Sequence, residues 1–319
     1  MPDNKPKDLT FEERVELFRA TADNPAARAE YAHSRAEVIL PLINAQSTVR
    51  AIFRPTRLAP GASSTFDVPF DDIDCCWMMP QIGGIPVVQV EGSSINVDTF
   101  GLDVGVEYQE DVARDGRIDV ATLSTALLKN KVIVQEELAG WTLIKTHAAA
   151  LPSTQIIQAL DKDGLSVGNP ILNMHTINEI ITTADEIGIG GRRISDIYCS
   201  PRRFGDLREQ VSIFGLPEAL REKFWNGGQG PADHLQPYDI AEMRIHRVYN
   251  PALVDNNTVY AFTRKEGYFY GVMPIREELM TRDNPQAAGE WKIGILGKER
   301  VGFGVLDNLG LIQCNFSSN

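Results

Sequence analysis

Long apolar runs are missing from this sequence: nowhere do about 18 apolar residues follow one another, and no basic-then-apolar leader opens it. The expectation is a chain without a helical membrane span or secretory leader, soluble and of cytoplasmic origin. Cysteine is scarce. Cys75, Cys76, Cys199 and Cys314 are too few and too scattered for a secreted disulfide framework, and they read as reduced thiols, mostly core or incidental. Basic charge is also short, with 31 Lys and Arg against 43 Asp and Glu and a formal net charge of -12. Such a balance argues against a protein whose main task is gripping nucleic-acid phosphates, because that needs a dense basic patch. Passive containment of DNA stays open, since an acidic surface limits adsorption of a polyanion. The histidines, at positions 33, 147, 175, 234 and 246, form no HExxH pair, and adjacent Cys75 and Cys76 lack zinc-knuckle spacing. No metal chemistry and no cofactor are expected.

What is present is ordinary globular material. The 319 residues, 43% hydrophobic and 23% charged, can bury the cores of two lobes and still leave an irregular arm. The first 57 residues are polar and mixed. Thr10 as cap with Glu13 in the capping-box position predicts a helix from about Thr10 to Ala20, and a second runs from Ala26 to Ile43 and ends near Pro41. Neither has an apolar stripe strong enough for a domain core. With arginines at 14, 19, 28, 35, 50, 54 and 57, the segment reads as an arm lying on something else.

Residues 58–97 change character. Phe66, Val68 and Phe70 alternate with polar or proline positions, Asp71 to Asp74 interrupt them, and Val87, Val88 and Val90 follow a proline-rich turn. Two strands of a long hairpin-like excursion are predicted, and an excursion of that length needs a reason such as reaching a neighbour. Leu102, Val104, Val106 and Tyr108 then alternate as a half-buried strand. Asp119 opens a helix of some 30 residues whose apolar positions Val120, Leu123, Leu127, Val134, Leu138, Trp141 and Ile144 form the expected buried stripe, ending before Pro152. At 1.5 Å per residue this rod is about 45 Å long, a spine rather than one wall of a globule.

The middle third reads as a second α/β lobe. Ile177, Ile180, Ile181, Ala184 and Ile187 mark a helix stopping at Gly188; Arg193 to Tyr198 is a strand; Ser200 caps and Pro201 starts a helix with Phe204, Leu207 and Val211 inward. After a Gly/Pro-rich loop at 225–240, strands at Val259 to Phe262 and Tyr268 to Met273 flank a turn at Arg264 to Gly267. The end is all strand: Trp291, Ile293 and Ile295, then Val301, Phe303 and Val305, then Leu311 to Phe316 after a turn at Asp307 to Gly310. The fold class is α+β.

Chemistry is sparse. Cys199 and Ser200 stand between a strand and a helix, where hydrolases put nucleophiles, with His175 and His234 as possible bases. The flanks, YCSPRR, are not the small residues a nucleophile elbow needs; a buried thiol followed by a cap is the plainer reading. GIGGR at 188–192 follows a helix and lacks the endings of a nucleotide loop, so it reads as a helix stop. DKDG at 161–164 has its glycine at the fourth rather than the sixth position of a calcium loop, and Asp71, Asp72 and Asp74 are most simply a solvated acidic turn. Trp141, Trp291 and Phe303 read as core. Trp77, Met78 and Met79 have no core of their own and are contact candidates.

INVDTFGLDVGVEYQEDVARDGRIDVATLSTALLKNKVIVQEELAG at 95–140, RRISDIYCSPRRFGDLRE at 192–209 and GEWKIGILGKERVGFGVLDNLGLIQ at 289–313, in that order, resemble the major capsid proteins of tailed phages. Their Hong Kong 97-like fold is shared with encapsulins. The resemblance implies an N-terminal arm at 1–57, an extended loop at 58–97, a peripheral domain with its spine helix at 98–151, an axial domain at 152–275 and returning peripheral strands at 276–319. It implies a non-enzymatic subunit of an icosahedral virion shell, assembled in the host cytoplasm as hexamers and pentamers around double-stranded DNA that it does not read by sequence. The partners implied are copies of itself, a separate scaffolding protein, a portal and a decoration protein. An encapsulin-type compartment is the alternative within the fold, and a cytosolic α/β hydrolase using Cys199 or Ser200 the alternative outside it. The contact candidates are Trp77, Met78, Met79, Val87, Val88 and Val90 for apolar adhesion, and Asp71 or Asp72 with Arg54 or Arg57 for charge. Some members of the family lock their shells with a lysine of the extended loop; Leu58 to Val97 contains no lysine, which closes that route.

Overall fold

A computed structural model describes residues 11–68, 93–160, 170–187, 192–213, 238–240, 243–264, 269–284 and 292–316. Three helices come first: α1 (Phe11–Asp23), α2 (Pro25–Gln46) and α3 (Thr48–Ile52). The side chain of Asn24 accepts from Ala26 N and caps α2, with Pro25 in its first turn. Helix α2 runs through Pro41 instead of ending there. A mid-helix proline costs roughly 3 kcal/mol, but Ile39 and Ile43 on either side of it are fully buried, and tertiary packing overrides the local signal.

The strands are β1 (Phe53–Arg57), β2 (Thr65–Val68), β3 (Ser93–Asn96) and β4 (Phe100–Gln109), followed by α4 (Glu110–Arg114) and the long α5 (Ile118–Ala149). Then come β5 (Ile156–Gln158), α6 (Met174–Glu186), β6 (Arg193–Cys199), α7 (Pro201–Ile213), β7 (Tyr238–Ile240), β8 (Met243–Arg247), β9 (Thr258–Arg264), β10 (Gly271–Asp283), β11 (Lys292–Val301), β12 (Gly304–Val305) and β13 (Leu311–Asn315). A five-stranded sheet has the order β1-β10-β11-β4 with β12 on β10, a six-stranded sheet the order β5-β13-β9-β6-β8-β7, and β2 pairs β3 as a separate ribbon.

Helices α1, α2 and α5 cover the five-stranded sheet around Phe18, Tyr31, Ile43, Leu128, Val132 and Ile295. The amino-terminal segment therefore lies on the chain's own five-stranded sheet and shares its core, although its sequence shows no strong stripe. Helices α6 and α7 cover the six-stranded sheet around Ile180, Ile197, Phe204 and Ile245. A third cluster, Phe53, Trp141, Ile144, Tyr198, Phe262, Tyr270 and Met273, fuses the two layers.

Further sequence expectations change. The face of α5 turned to the protein carries Ser124, Leu128, Val132, Trp141, Ile144 and Ala148, whereas Leu123, Leu127 and Val134 are 61%, 48% and 44% exposed. Only Trp141 and Ile144 of the expected stripe are fully buried, with Val120 and Leu138 half-buried. The helix has two apolar stripes, and periodicity cannot say which meets the sheet. Strands β9 and β10 do not form a hairpin; β9 lies between β13 and β6 while β10 lies between β1 and β11, so the chain crosses from one sheet to the other there. Finally β13 pairs with β9 and β5, so the last strand belongs to the six-stranded sheet and not with the strands returning beside β4.

Candidate functional site

Strand β1 is the edge of the five-stranded sheet, and its first residues border a groove between the two sheets. Phe53 is fully buried and anchors it, meeting Tyr270 and Phe303 edge-on at 5.6 and 5.5 Å between ring centroids. Arg54 is exposed, its guanidinium 4.5 Å above the ring of Phe269, a cation–π contact that orients the charge without neutralising it. Pro55 pairs in register with Met273 of β10. A proline lacks the N–H that another strand would need and blunts the sheet edge.

The groove encloses about 550 Å³ and is lined by Arg54, Arg193, Asp196 and Arg264 over a wall of Tyr198, Phe262 and Phe269. A neighbouring cavity of about 510 Å³ shares Arg50, Arg54 and Pro55 with it and adds Arg57 and Glu278. Asp196 is the acid of the first cavity. Its Oδ1 lies 2.9 Å from His246 Nε2 and its Oδ2 3.5 Å from Arg264 Nη2. Burial alone would raise its pKa, but the bonds to His246 and Ser195 and the nearby positive charge hold it below the usual carboxylate range. The histidine ring also stacks on Tyr198 at 4.5 Å.

Of the expected contact residues, the two arm arginines separate. Arg57 forms an exposed ion pair within the chain, with Nη2 2.5 Å from Glu278 Oε1, whereas Arg54 faces the groove. Asp71, Asp72, Trp77, Met78, Met79, Val87, Val88 and Val90 lie outside the described residues, as do the acidic turn and Trp291. The stem below them is described: β2 and β3 pair with Phe66 opposite Ile95, and Arg276 Nη2 donates to Ala62 O at 3.4 Å. Sequence reasoning put Leu123, Leu127 and Val134 in the buried stripe of α5, whereas they form an exposed apolar face, and it did not single out exposed Val38 and Leu42 on α2. The signal was in the sequence, as a second stripe at helical spacing.

The hydrolase reading does not fit. Cys199 is fully buried, its thiol pushed up to about 12 by burial, and its Sγ makes only a weak contact with His246 O at 3.7 Å. Ser200 is buried too and accepts from Arg203 N at 3.4 Å, the cap its sequence suggested. His175 is exposed on α6; His234 lies outside the described residues. Among the described residues no three His, Cys, Asp or Glu side chains gather as a metal site, and no helix is long and apolar enough to cross a membrane.

No family model matches the chain, and no curated protein matches its sequence. Solved structures do match its shape. The capsid of Ralstonia phage GP4 superposes with a TM-score of 0.57 at 10% identity, over 84% of this chain and 88% of that one. A structure from Microbacterium phage Oxtober96 gives 0.56 at 17% identity, over 85% and 91%. The capsid of cyanophage P-SCSP1u gives 0.54 at 13%, over 84% and 87%.

Proposed function

We propose that this chain, whose fold is the Hong Kong 97-like fold of tailed-phage capsid subunits, is a major capsid protein that assembles with copies of itself into the shell of a tailed bacteriophage. The observation that supports this best is the extent of the likeness: 84% of this chain and 88% of the Ralstonia phage chain correspond. The buried setting of Cys199 and Ser200 agrees with a binding function.

In this reading the protein's work is adhesion. The excursion at 58–97 reaches an adjacent subunit, where Trp77, Met78 and Met79 with Val87, Val88 and Val90 supply apolar contact. Arg54, held over Phe269 at the mouth of the groove, is the arm arginine suited to meet Asp71 or Asp72 of a neighbour. Arg57 is the weaker candidate because Glu278 already holds it. Each exposed ion pair is worth roughly 0–1 kcal/mol, so the apolar group dominates. Hexamers and pentamers, a separate scaffolding protein, a portal, a decoration protein, enclosed double-stranded DNA and assembly in the host cytoplasm belong to the same proposal.

Light scattering on the purified full chain tests it. The expected result is a species of many copies; a folded monomer of 35.3 kDa that associates with nothing, even alongside the products of its neighbouring genes, overturns it. Enclosed enzyme instead of DNA in particles from the native host would turn the assignment to an encapsulin.

A further inference from the structure

Beneath the root of β1 the structure buries three charges from three elements. Arg50 on α3 donates from Nη2 to Glu136 Oε1 of α5 at 2.6 Å and to Glu299 Oε1 of β11 at 2.7 Å, and from Nε to Glu136 Oε2 at 3.0 Å. The side chains of the arginine and the two glutamates are 4%, 0% and 0% exposed. Two carboxylates thus share one guanidinium away from water. If both were ionised, one buried negative charge would stay uncompensated, at a cost of several kcal/mol.

A specific atom relieves the conflict. Glu299 Oε2 is buried and no donor reaches it, while the side chains of Glu299 and Glu136 are in hydrogen-bond reach of each other; two carboxyl groups bond only when one carries a proton, and Glu136 is then the acceptor a buried Glu299 hydroxyl needs. We infer that Glu299 is the protonated, neutral member of this triad, and that its proton is a clamp fastening α3 and the root of β1 to α5 and the sheet. The electrostatics agree in direction: burial first, then the charge of Glu136, push Glu299 up to about 8 against the opposing pull of Arg50. Burial would lower the pKa of Arg50, but its bonds to Glu136 and the charges of both glutamates outweigh that and keep it cationic.

The other charges around the triad have their own partners or lie elsewhere. Glu137, next on α5, is bonded to Ser47 and Thr48. Lys298 and Arg300 flank Glu299 on β11 but are exposed, opposite Asp103 of β4 and Glu277 of β10 respectively. Arg54, Arg57 and Glu278 line the cavity that Arg50 borders. On α2, Arg28 bonds the carbonyl of Thr21 and Arg35 stacks on Tyr31, while Glu30 and His33 are exposed.

The sign follows from linkage. An opened triad ionises near the ordinary glutamate range of about 4.3, whereas the closed one keeps its proton up to about 8. Closure is therefore favoured most at low pH, and the stability it contributes is lost as pH rises through the interval, by about tenfold in the opening equilibrium per pH unit.

Two measurements on the full-length chain decide the matter. In amide hydrogen exchange corrected for the intrinsic effect of pH, the opening constant of α3 should rise about fiftyfold from pH 6 to pH 8 in the wild type. In Glu299→Gln, which keeps the shape and cannot ionise, that rise should be absent. Equal pH dependence in both proteins, or none in the wild type, overturns the inference. Infrared spectroscopy needs only the wild type: a carbonyl band of a buried carboxylic acid should be present at pH 7 and vanish above pH 9. Its absence at pH 7 overturns the clamp even if the variant fails to fold. Neither readout depends on what the chain assembles into.

Discussion

Gly140 of α5 lies directly against Val49 of α3, and replacing it with alanine tests how rigidly those helices are joined. A Cβ built there would stand 2.8 Å from Val49 Cγ2 and 3.2 Å from Val49 Cβ, with Cγ1 closer still. Val49 is fully buried. In an exposed helix the exchange would stabilise by roughly 1 kcal/mol, because glycine is the worst ordinary helix former. Here α3 would have to retreat, and it is pinned: Glu137 accepts from Ser47 Oγ at 3.0 Å, Thr48 N at 2.5 Å and Val49 N at 3.1 Å, and Arg50 is bound to Glu136 and Glu299. Overpacking a pinned contact costs about 1–3 kcal/mol, and losing one hydrogen bond to a charged group adds about 1.5–3 kcal/mol. The expected net effect of Gly140→Ala is a loss of about 2–5 kcal/mol, read as a lower urea midpoint with an unchanged slope. Val49→Ala in the same chain should recover most of it, since the clash is with the valine methyls. An alanine variant as stable as the wild type, or a double variant no better than the single, would refute the reasoning.

The register of α5 gives a second contrast. Leu128→Asp places an unpartnered carboxylate in a fully buried position and should leave insoluble or unfolded protein by circular dichroism, whereas Leu127→Asp, 48% exposed in the subunit, should fold and fail instead at assembly. Among the contact candidates, Trp77→Ala should leave a folded subunit that assembles poorly by light scattering, and Arg54→Glu should impair assembly more than Arg57→Glu, with both charge effects fading at high salt. Boiled in detergent under reducing conditions, assembled particles should give a single band near 35 kDa, because the segment 58–97 has no lysine to crosslink; a ladder that survives reductant would contradict the non-covalent account.

Local chemistry made part of this architecture legible. The alternation from Leu102 to Tyr108 matches β4, and the half-buried residues are those it marked. Ser200 and Pro201 fix the start of α7 because a hydroxyl cap and a proline at the first turn have few other uses. The extent of α5 followed from apolar residues at helical spacing between Asp119 and Pro152. Its buried face did not, since Leu123 and Leu128 are equally apolar and only the distant sheet chooses between them. The same nonlocality hid the crossing between β9 and β10 and the departure of β13 to the other sheet. Glu136, Glu137 and Glu299 read as solvent-facing residues in any local window, yet each is buried because Arg50, the start of α3 or Trp141 waits for it. The groove beside Arg54 was half legible: its arginine was named from position alone, while Arg193 and Arg264 come from the other sheet.

Electron cryomicroscopy of particles formed by the full chain tests the central claim most directly. The account predicts closed icosahedral shells whose subunits show the five- and six-stranded sheets joined along α5, with density of a neighbouring copy over the groove at Arg54. Fields that hold only isolated, well-folded subunits under every assembly condition, with or without the products of neighbouring genes, would contradict it.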